Sequence, residues 1–153
     1  MNEQELQKLR NYCAYQERAH SEVRSKCFDL GLKGEHVDQL IAQLVEENFL
    51  NEERFAIAFA GGKFRMKQWG RKKITQELKM KQVSVYCIKK ALLEIDEDDY
   101  MQALHKLAEK KYTSLRGDQH LKRQYKTMQF LLQRGFEQEL VRETVEQIAK
   151  SGA

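Results

Sequence analysis

The stretch ITQELKMKQVSVYCIKKALLEI, residues 74–95, decides the fold, because its apolar residues are spaced as in two amphipathic helices joined by a short turn. The same spacing occurs once before and once after it, at a period of about fifty residues, with Gly31, Gln82 and Gly135 at equivalent turn positions. The aligned apolar columns contain Val23, Cys27, Leu32, Val37, Ile41 and Leu44, then Ile74, Leu78, Val83, Ile88, Leu92 and Ile95, then Leu131, Phe136, Val141, Val145 and Ile148, with Thr127 as the polar exception. A register kept across two loops indicates an internal repeat.

The repeat predicts an all-α fold of three tandem three-helix repeats that form an elongated, curved array. The predicted modules are residues 1–50, 51–97 and 98–153. The composition agrees, because the chain has no proline and is rich in good helix formers. One module of this size has a marginal core by itself, whereas tandem neighbours can support one another.

Several polar residues and glycines predict where the helices begin and bend. Ser21, Asn51 and Ser84 stand where helix N-caps are expected. The pair Gly61-Gly62 falls inside a long apolar helix, so we expect a kink or a close contact there.

A basic stretch at residues 63–81 lies in the second copy of the repeat. Its eight basic residues are Lys63, Arg65, Lys67, Arg71, Lys72, Lys73, Lys79 and Lys81, against the single acid Glu77. A cluster of this density indicates a surface for a polyanion or an acidic protein groove, and the alternative is a solvated helix face. Trp69, the only tryptophan, and Phe64 lie among these charges, as interface anchors or as core residues.

Charge alternates along the whole chain, whose net charge is +4. Residues 35–53 contain six acids and no Lys or Arg, whereas residues 110–134 contain seven basic residues and one acid. Such segregation lets a protein present a basic face without being strongly basic overall. The predicted partner- or DNA-binding residues are Lys63, Arg65, Lys67, Trp69, Arg71, Lys72, Lys73, Lys79, Lys81, Lys122, Arg123 and Lys126.

The sequence carries no motif that points to an enzyme. Phosphate-binding glycine loops, nucleophile elbows and zinc-protease motifs are missing, and the four histidines are far apart. Cys13, Cys27 and Cys87 lack metal-ligand spacing and are odd in number, which disfavours a disulfide framework. We therefore expect no catalytic residue, no metal and no cofactor. With neither a signal peptide nor a membrane span, we expect a cytoplasmic protein with no membrane partner.

Three motifs together closely resemble the RecX family of recombination regulators. They are NFLNEERFA at residues 48–56, KFR at 63–65 followed by WGRKKI at 69–74 with Glu77-Leu78, and the turn Arg134-Gly135-Phe136. The resemblance covers nearly the whole chain and rests on the order and spacing of the motifs. Two residues depart from the family pattern: Arg71 stands where many members have proline, and Gln82 replaces a glycine that is common at the second turn.

The resemblance implies a non-enzymatic regulator of the RecA recombinase. Members of the family lodge in the groove of the RecA filament on DNA, inhibit its ATP hydrolysis and strand exchange, and so modulate homologous recombination and DNA repair in the SOS response. Many also bind DNA, so single-stranded DNA is an expected second partner, and we expect the protein to be a monomer. The alternative is a stand-alone DNA-binding protein with helix-turn-helix-like modules, which the mixed or acidic character of the third predicted helix in each module disfavours.

Overall fold

The computed structural model describes residues 3–152; residues 1, 2 and 153, at the ends of the predicted first and third modules, lie outside the described residues. Within the described range the chain is all-helical and has no strand, which confirms the predicted fold class. The helices are α1 Glu3–Tyr15, α2 His20–Asp29, α3 Glu35–Glu46, α4 Glu52–Gly62, a π-helix Lys63–Lys67, α5 Arg71–Met80, α6 Val85–Leu93, α7 Glu97–Ser114, α8 His120–Gln133 and α9 Gln138–Lys150.

The three equivalent turns have the same backbone conformation. Gly31, Gln82 and Gly135 have φ values of 80°, 63° and 94°, in the left-handed region that favours glycine. The amide one residue later donates in each case to the carbonyl five residues back, as in Leu32 to Cys27 and Val83 to Leu78. This hydrogen bond ends a helix in the Schellman manner. Gln82 therefore adopts the glycine conformation, and the second turn is as tight as the other two.

Two of the three predicted N-caps are confirmed. Asn51 Oδ1 accepts from the amide of Arg54 at 2.9 Å, and Ser84 Oγ accepts from the amide of Cys87 at 3.2 Å. The prediction for Ser21 is wrong, because α2 already begins at His20 after Ala19. There the carboxylate of Glu22 accepts from the Ala19 amide at 2.8 Å, so the acid three residues on caps the helix.

The helix does not break at Gly61-Gly62. Instead α4 runs through both glycines and widens into the π-helix Lys63–Lys67, which ends at Gln68 in the left-handed conformation, with φ 58°. A close contact is present at Gly61, since a Cβ there would lie 2.8 Å from Nη1 of Arg65. The small residue thus leaves room for the arginine side chain of the next turn.

Contacts divide the described chain into two compact units. Unit 1 contains the described residues up to Ala60 together with Glu77–Leu92, and unit 2 contains Gly61–Gln76 together with the described residues from Leu93 onwards. Residues of the predicted second module belong to both units, and the predicted module boundaries stay a prediction.

Unit 1 has an aliphatic core. Helices α1, α2 and α3 pack against one another, and the apolar columns of the first repeat lie inward. The buried cluster consists of Leu6, Leu9, Cys13, Val23, Cys27, Leu32, Val37, Leu40, Ile41, Leu44 and Leu50. All three cysteines are buried as free thiols in this unit.

Unit 2 has a core in which aromatic rings take a larger part. Helices α7, α8 and α9 pack together. The fully buried ring of Tyr100 lies between Phe64 and Phe136, with centroid distances of 5.7 Å and 5.3 Å. Thr127, the polar exception in the repeat, is buried and donates to the carbonyl of Arg123 at 2.8 Å. Its hydroxyl is thus satisfied within its own helix, which explains why a polar residue is tolerated there.

Candidate partner-binding surface

Trp69 lies half-buried between two lysines in unit 2. It follows Gln68, whose left-handed backbone ends the π-helix. The ammonium group of Lys63 lies 5.0 Å from the centroid of the Trp69 ring, and that of Lys73 lies 4.7 Å from it. Cations at these distances are attracted to the face of an indole. The interleaving of tryptophan and lysine in the sequence therefore becomes direct contact in the structure.

Three further cations of the basic stretch are exposed near this tryptophan in sequence. Arg65, Lys67 and Lys72 are exposed, and among residues 3–152 none of the three forms an ion pair. None of the three charges is held in an ion pair by a carboxylate of residues 3–152, so they are open to an anionic partner.

The backbone around Trp69 is fixed by a close approach of two glycines. The amide of Gly70 donates to the carbonyl of Arg134 at 2.7 Å, and the amide of Lys72 donates to the carbonyl of Gly135 at 2.9 Å. A Cβ on Gly70 would lie 2.4 Å from the backbone of Gly135, so no larger residue fits. Two of the motifs that carry the family resemblance thus pack against each other, and they orient the first turn of α5.

Arg71 has a structural role within unit 2. Its Nη1 donates to Oε2 of Glu137 at 2.8 Å, its Nη2 donates to Glu97, and its guanidinium lies 3.8 Å from the centroid of the Tyr100 ring. The backbone amide of Arg71 donates to the Tyr100 hydroxyl at 2.9 Å, and that hydroxyl donates to Oε1 of Glu137 at 2.5 Å. We call Arg71, Tyr100, Glu137 and Glu97 the Arg71 network. Its arginine is committed to carboxylates of its own chain.

The network shifts the pKa values of its members. Burial, reinforced by the hydrogen bond to Glu137, raises the pKa of Tyr100 well above its usual value. Burial also pushes the pKa of Glu137 upward, but hydrogen bonds from Tyr100 and Arg71 outweigh it, so the net shift is downward. Glu137 is therefore ionised and Tyr100 protonated at neutral pH, which is the state in which the hydrogen bonds form.

The C-terminal part of the basic stretch belongs to unit 1. Lys79 is exposed there, whereas the ammonium group of Lys81 donates to Glu22 at 3.1 Å. The carbonyl of Lys81 also accepts from the hydroxyl of Ser21 at 2.7 Å, so the polar residue predicted to cap α2 instead holds the end of α5. The predicted stretch is continuous in sequence but is divided between two compact units.

The three predicted residues on α8 differ in their surroundings. Lys122 is exposed. Arg123 lies over the Tyr112 ring, 3.6 Å from its centroid, and its Nε donates to the carbonyl of Tyr112 at 2.7 Å. Lys126 donates to Asp118 at 2.8 Å. Arg123 and Lys126 thus anchor α8 to its own unit, and of the three only Lys122 is exposed.

Sequence reasoning missed Tyr100, Glu137 and Arg134. Arg134 donates from Nη1 to the carbonyl of Lys67 at 2.9 Å, so it holds the last turn of the π-helix. The available signal was the pairing of the Trp69-Gly70-Arg71 and Arg134-Gly135-Phe136 motifs, which turn out to be spatial neighbours. Nothing in local periodicity links residues so far apart in the chain.

Within residues 3–152, no three His, Cys, Asp or Glu side chains are grouped so that they could hold a metal ion. None of the helices in that range combines the length and the hydrophobicity that a membrane span requires. Burial raises the pKa of Cys13 to about 11 and also raises that of Cys27, so both are ordinary protonated thiols.

The fold and this surface define an all-helical protein of tandem three-helix domains with exposed, uncompensated cations. Two domain models match the chain: RecX, second three-helix domain, at residues 51–92, and RecX, third three-helix domain, at residues 97–145. The chain belongs to the RecX family of regulatory proteins.

Relatives from several bacteria support the assignment. The chain is 34% identical over 139 residues to the regulatory protein RecX of Chlorobium phaeobacteroides (strain BS1), and the alignment covers 88% of each chain. It is 30% identical over 143 residues to the regulatory protein RecX of Prosthecochloris aestuarii, covering 94% of this chain and 92% of the relative. The regulatory protein RecX of Oceanobacillus iheyensis is longer: identity is 28%, and the alignment covers 90% of this chain but 51% of the relative. The chain thus spans nearly all of some relatives and about half of others.

Solved structures agree with the fold. The crystal structure of RecX from Lactobacillus salivarius superposes with a TM-score of 0.85 at 22% identity, covering 95% of this chain and 94% of that one. A second crystal structure of a regulatory protein RecX gives a TM-score of 0.84 at 22% identity, with coverages of 94% and 70%.

Proposed function

We propose that the protein binds the filament that the RecA recombinase forms on DNA and inhibits its ATP hydrolysis and strand exchange. Membership of a family of regulatory proteins supports a regulatory role, and the recombinase is the partner that the resemblance implies. The protein acts by occupancy rather than catalysis, as a monomer in the cytoplasm, and so modulates recombination and DNA repair in the SOS response.

The observation that carries this proposal is the exposed basic surface of unit 2. Arg65, Lys67 and Lys72 are exposed without an ion pair in residues 3–152, in the segment that holds Trp69 between two lysines. The groove of a protein filament on DNA is lined by DNA phosphates and by the protein that coats the DNA. Uncompensated cations accelerate and orient association with such an anionic surface.

The other predicted residues take different parts in the proposal. Lys122 is exposed and adds a further cation to unit 2, and Lys79 is an exposed cation of unit 1. Lys81, Arg123 and Lys126 hold their helices in place through Glu22, Tyr112 and Asp118. Arg71 positions the segment through the Arg71 network instead of meeting the partner. Single-stranded DNA within the filament is the proposed second partner.

A direct test removes two of the exposed charges. The double variant Lys67→Gln, Lys72→Gln keeps the backbone contacts of both residues, since those involve only the Lys67 carbonyl and the Lys72 amide. We expect the double variant to have normal helicity. About tenfold more of it should be needed to inhibit recombinase ATP hydrolysis, because charges at an interface mainly determine the rate of association. Hydrolysis is followed on filaments already assembled on single-stranded DNA.

The matched control is Lys8→Gln, Lys33→Gln, which removes two exposed lysines of unit 1 outside the basic stretch. It should inhibit as well as the natural protein. If the natural protein leaves ATP hydrolysis unchanged, the proposed function is wrong. If both double variants inhibit normally, the contact lies on another surface.

Stand-alone DNA binding is a second candidate, and one feature favours it more than the sequence did. Helix α6 contains no acid and exposes Tyr86, Lys89 and Lys90, at the position of a recognition helix in its three-helix module. A binding assay against a pool of random duplexes separates the two functions. Strong selection of one duplex sequence favours this candidate, whereas uniform, salt-sensitive binding favours the filament regulator.

A further inference from the structure

A basic cleft lies on unit 2, next to the segment that contains Lys67 and Trp69. Its volume is about 210 Å³, and its lining includes Gln68, Leu107, Lys110, Lys111, Phe130 and Arg134. Leu107 is buried and Phe130 half-buried, so the floor is apolar, while the charged groups around it are all cations. We call it the Arg134 cleft.

Two of the cations are held in place by the protein itself. The guanidinium of Arg134 lies 4.8 Å from the centroid of the Phe130 ring and donates through Nη1 to the Lys67 carbonyl. The ammonium group of Lys111 lies 5.1 Å from the centroid of the same ring. Because these side chains are already ordered, an incoming ligand does not have to immobilise them.

No acid compensates these charges within residues 3–152. Lys110, Lys111 and Arg134 form no ion pair there, whereas Arg71 in the same unit contacts two carboxylates. Like charges around one small cleft repel one another, and the apolar floor limits screening by water. An anion that contacts several of these cations at once would therefore reduce the electrostatic repulsion among them.

We propose that the Arg134 cleft binds a phosphoryl group. A tetrahedral phosphoryl group offers two free oxygens and one negative charge in a phosphodiester, or three oxygens and up to two charges at a terminus. Arg134, Lys110 and Lys111 can approach such a group from different directions, whereas the two oxygens of a carboxylate lie in one plane. The cationic groups of Arg134 and Lys111 both lie over the ring of Phe130, which disfavours the stacking of a nucleic-acid base on that ring. The phosphoryl group can come from the backbone of a single-stranded nucleic acid or from a free phosphate compound. The cleft adjoins the surface of the proposed function through Gln68 and through the hydrogen bond from Arg134 to the Lys67 carbonyl. Its cations Lys110, Lys111 and Arg134 are not among the cations of that surface, so variants of the two sets test the two proposals separately.

The test uses the complete chain and three probes in calorimetric titrations: inorganic pyrophosphate, an oligothymidylate of about ten nucleotides, and hexaglutamate. The variant is Lys110→Gln, Lys111→Gln, and its matched control is Lys8→Gln, Lys33→Gln in unit 1. The control removes the same charge from two exposed lysines to which no binding role is assigned. Circular dichroism establishes that both variants fold, and the single variant Lys110→Gln replaces the double one if helicity is lost.

We expect the cleft variant to bind pyrophosphate about tenfold or more weakly and the control to bind it normally, because each charge-assisted hydrogen bond contributes substantially. If the oligothymidylate competes with pyrophosphate, and the variant lowers the steepness of its salt dependence by about 0.7 per lost phosphate contact, the nucleic-acid backbone is the source. If pyrophosphate binds and the oligothymidylate does not compete, the source is a free phosphate compound.

Three results overturn the proposal. The first is no binding of either phosphate probe to the natural protein. The second is an equal loss in the cleft variant and the control, since the effect is then one of net charge alone. The third is a result in which the natural protein binds hexaglutamate, the cleft variant loses that binding, and the binding of both phosphate probes is unchanged. The cleft would then be a site for an acidic protein segment.

Discussion

Units 1 and 2 are each held by an arginine–carboxylate pair, but the pairs lie in different surroundings. In unit 1, Nε and Nη2 of Arg10 donate to the two oxygens of Glu47, both at 2.7 Å, and the aliphatic core is complete without them. In unit 2, the Arg71 network includes the fully buried Tyr100, which packs between two aromatic rings of the core. The polar pair of unit 1 thus lies outside its apolar core, whereas the polar network of unit 2 reaches into its aromatic core. From this contrast we infer that unit 2, which carries the exposed cations near Trp69, depends more strongly on the geometry of its polar contacts.

The largest expected difference between the units is at the equivalent turn glycines Gly31 and Gly135. Both have positive φ, but a Cβ on Gly31 would meet nothing within 4 Å, whereas a Cβ on Gly135 would lie 2.3 Å from Cβ of Lys73. We expect Gly31→Ala to cost about 1–2 kcal/mol, from backbone conformation alone. Gly135→Ala should cost about 3 kcal/mol or more, because it adds a clash with the α5 backbone.

Urea denaturation of both variants, followed by circular dichroism, measures this difference. Equal losses in the two variants would mean that the Gly70–Gly135 approach relaxes easily, and the contrast between the units would then be much weaker than we infer.

A smaller effect is expected from acid. The hydrogen bonds from Arg10 and Gln43 lower the pKa of Glu47 from 4.5 to about 2, and the pKa of Glu137 is also lowered. A carboxyl group with a lowered pKa in the folded state contributes stability above its unfolded pKa, and this is lost as the pH falls through the folded value. Stability should therefore fall from about pH 5 downward, with the part due to Glu47 lost fully only near pH 2.

The isosteric variants Glu47→Gln and Glu137→Gln separate the two contributions. Each should flatten the fall in urea midpoint between pH 6 and pH 3, since the group that titrates has been removed. At pH 7, Glu137→Gln should cost about 1–3 kcal/mol, because it weakens a partly buried network, and Glu47→Gln should cost less. A larger loss at pH 7 in Glu47→Gln would reverse the ranking of the two units.

The smallest effect is expected at the second turn. Gln82 has φ 63°, where glycine is found at the equivalent positions of the other two turns. Replacing it with glycine relieves the side-chain penalty of the left-handed conformation but adds freedom to the unfolded chain. We expect Gln82→Gly to stabilise the protein by up to about 1 kcal/mol. A decrease in the urea midpoint would indicate that the Gln82 side chain makes a contribution of its own.

Much of the fold could be predicted from the sequence because the repeat is local and periodic. The apolar columns identified the helices, and Asn51 and Ser84 identified two of their starts. The N-cap prediction for Ser21 failed because Glu22, three residues after Ala19, makes the capping hydrogen bond. The Ser21 hydroxyl instead donates to the carbonyl of Lys81, and the sequence pattern of a serine near a helix start does not distinguish these two roles. The π-helix was not predicted, since Gly61-Gly62 signals a break as readily as a widened turn.

The candidate surface was predicted less completely. Counting charges identified the cations but could not separate exposed Lys67 and Lys72 from Arg71, whose carboxylate partner Glu137 is remote in sequence. It could not show either that Lys79 and Lys81 belong to a different unit from Lys67. The cleft at Arg134 was also invisible, because its cations come from α7 and from the turn after α8. Such groupings depend on tertiary packing, which charge patterns do not encode.

The position of Trp69 gives the natural protein an optical reporter. It is the only tryptophan in the chain, and the ammonium groups of Lys63 and Lys73 flank its ring in unit 2, while every cysteine lies in unit 1. Indole emission responds to nearby charge, so a partner that draws either lysine away from the ring changes the fluorescence of this one residue. Thiol labelling responds only to opening of the other unit. Without a single substitution, the chain can therefore signal separately, through tryptophan fluorescence and thiol labelling, when its basic segment is engaged and when its aliphatic core opens.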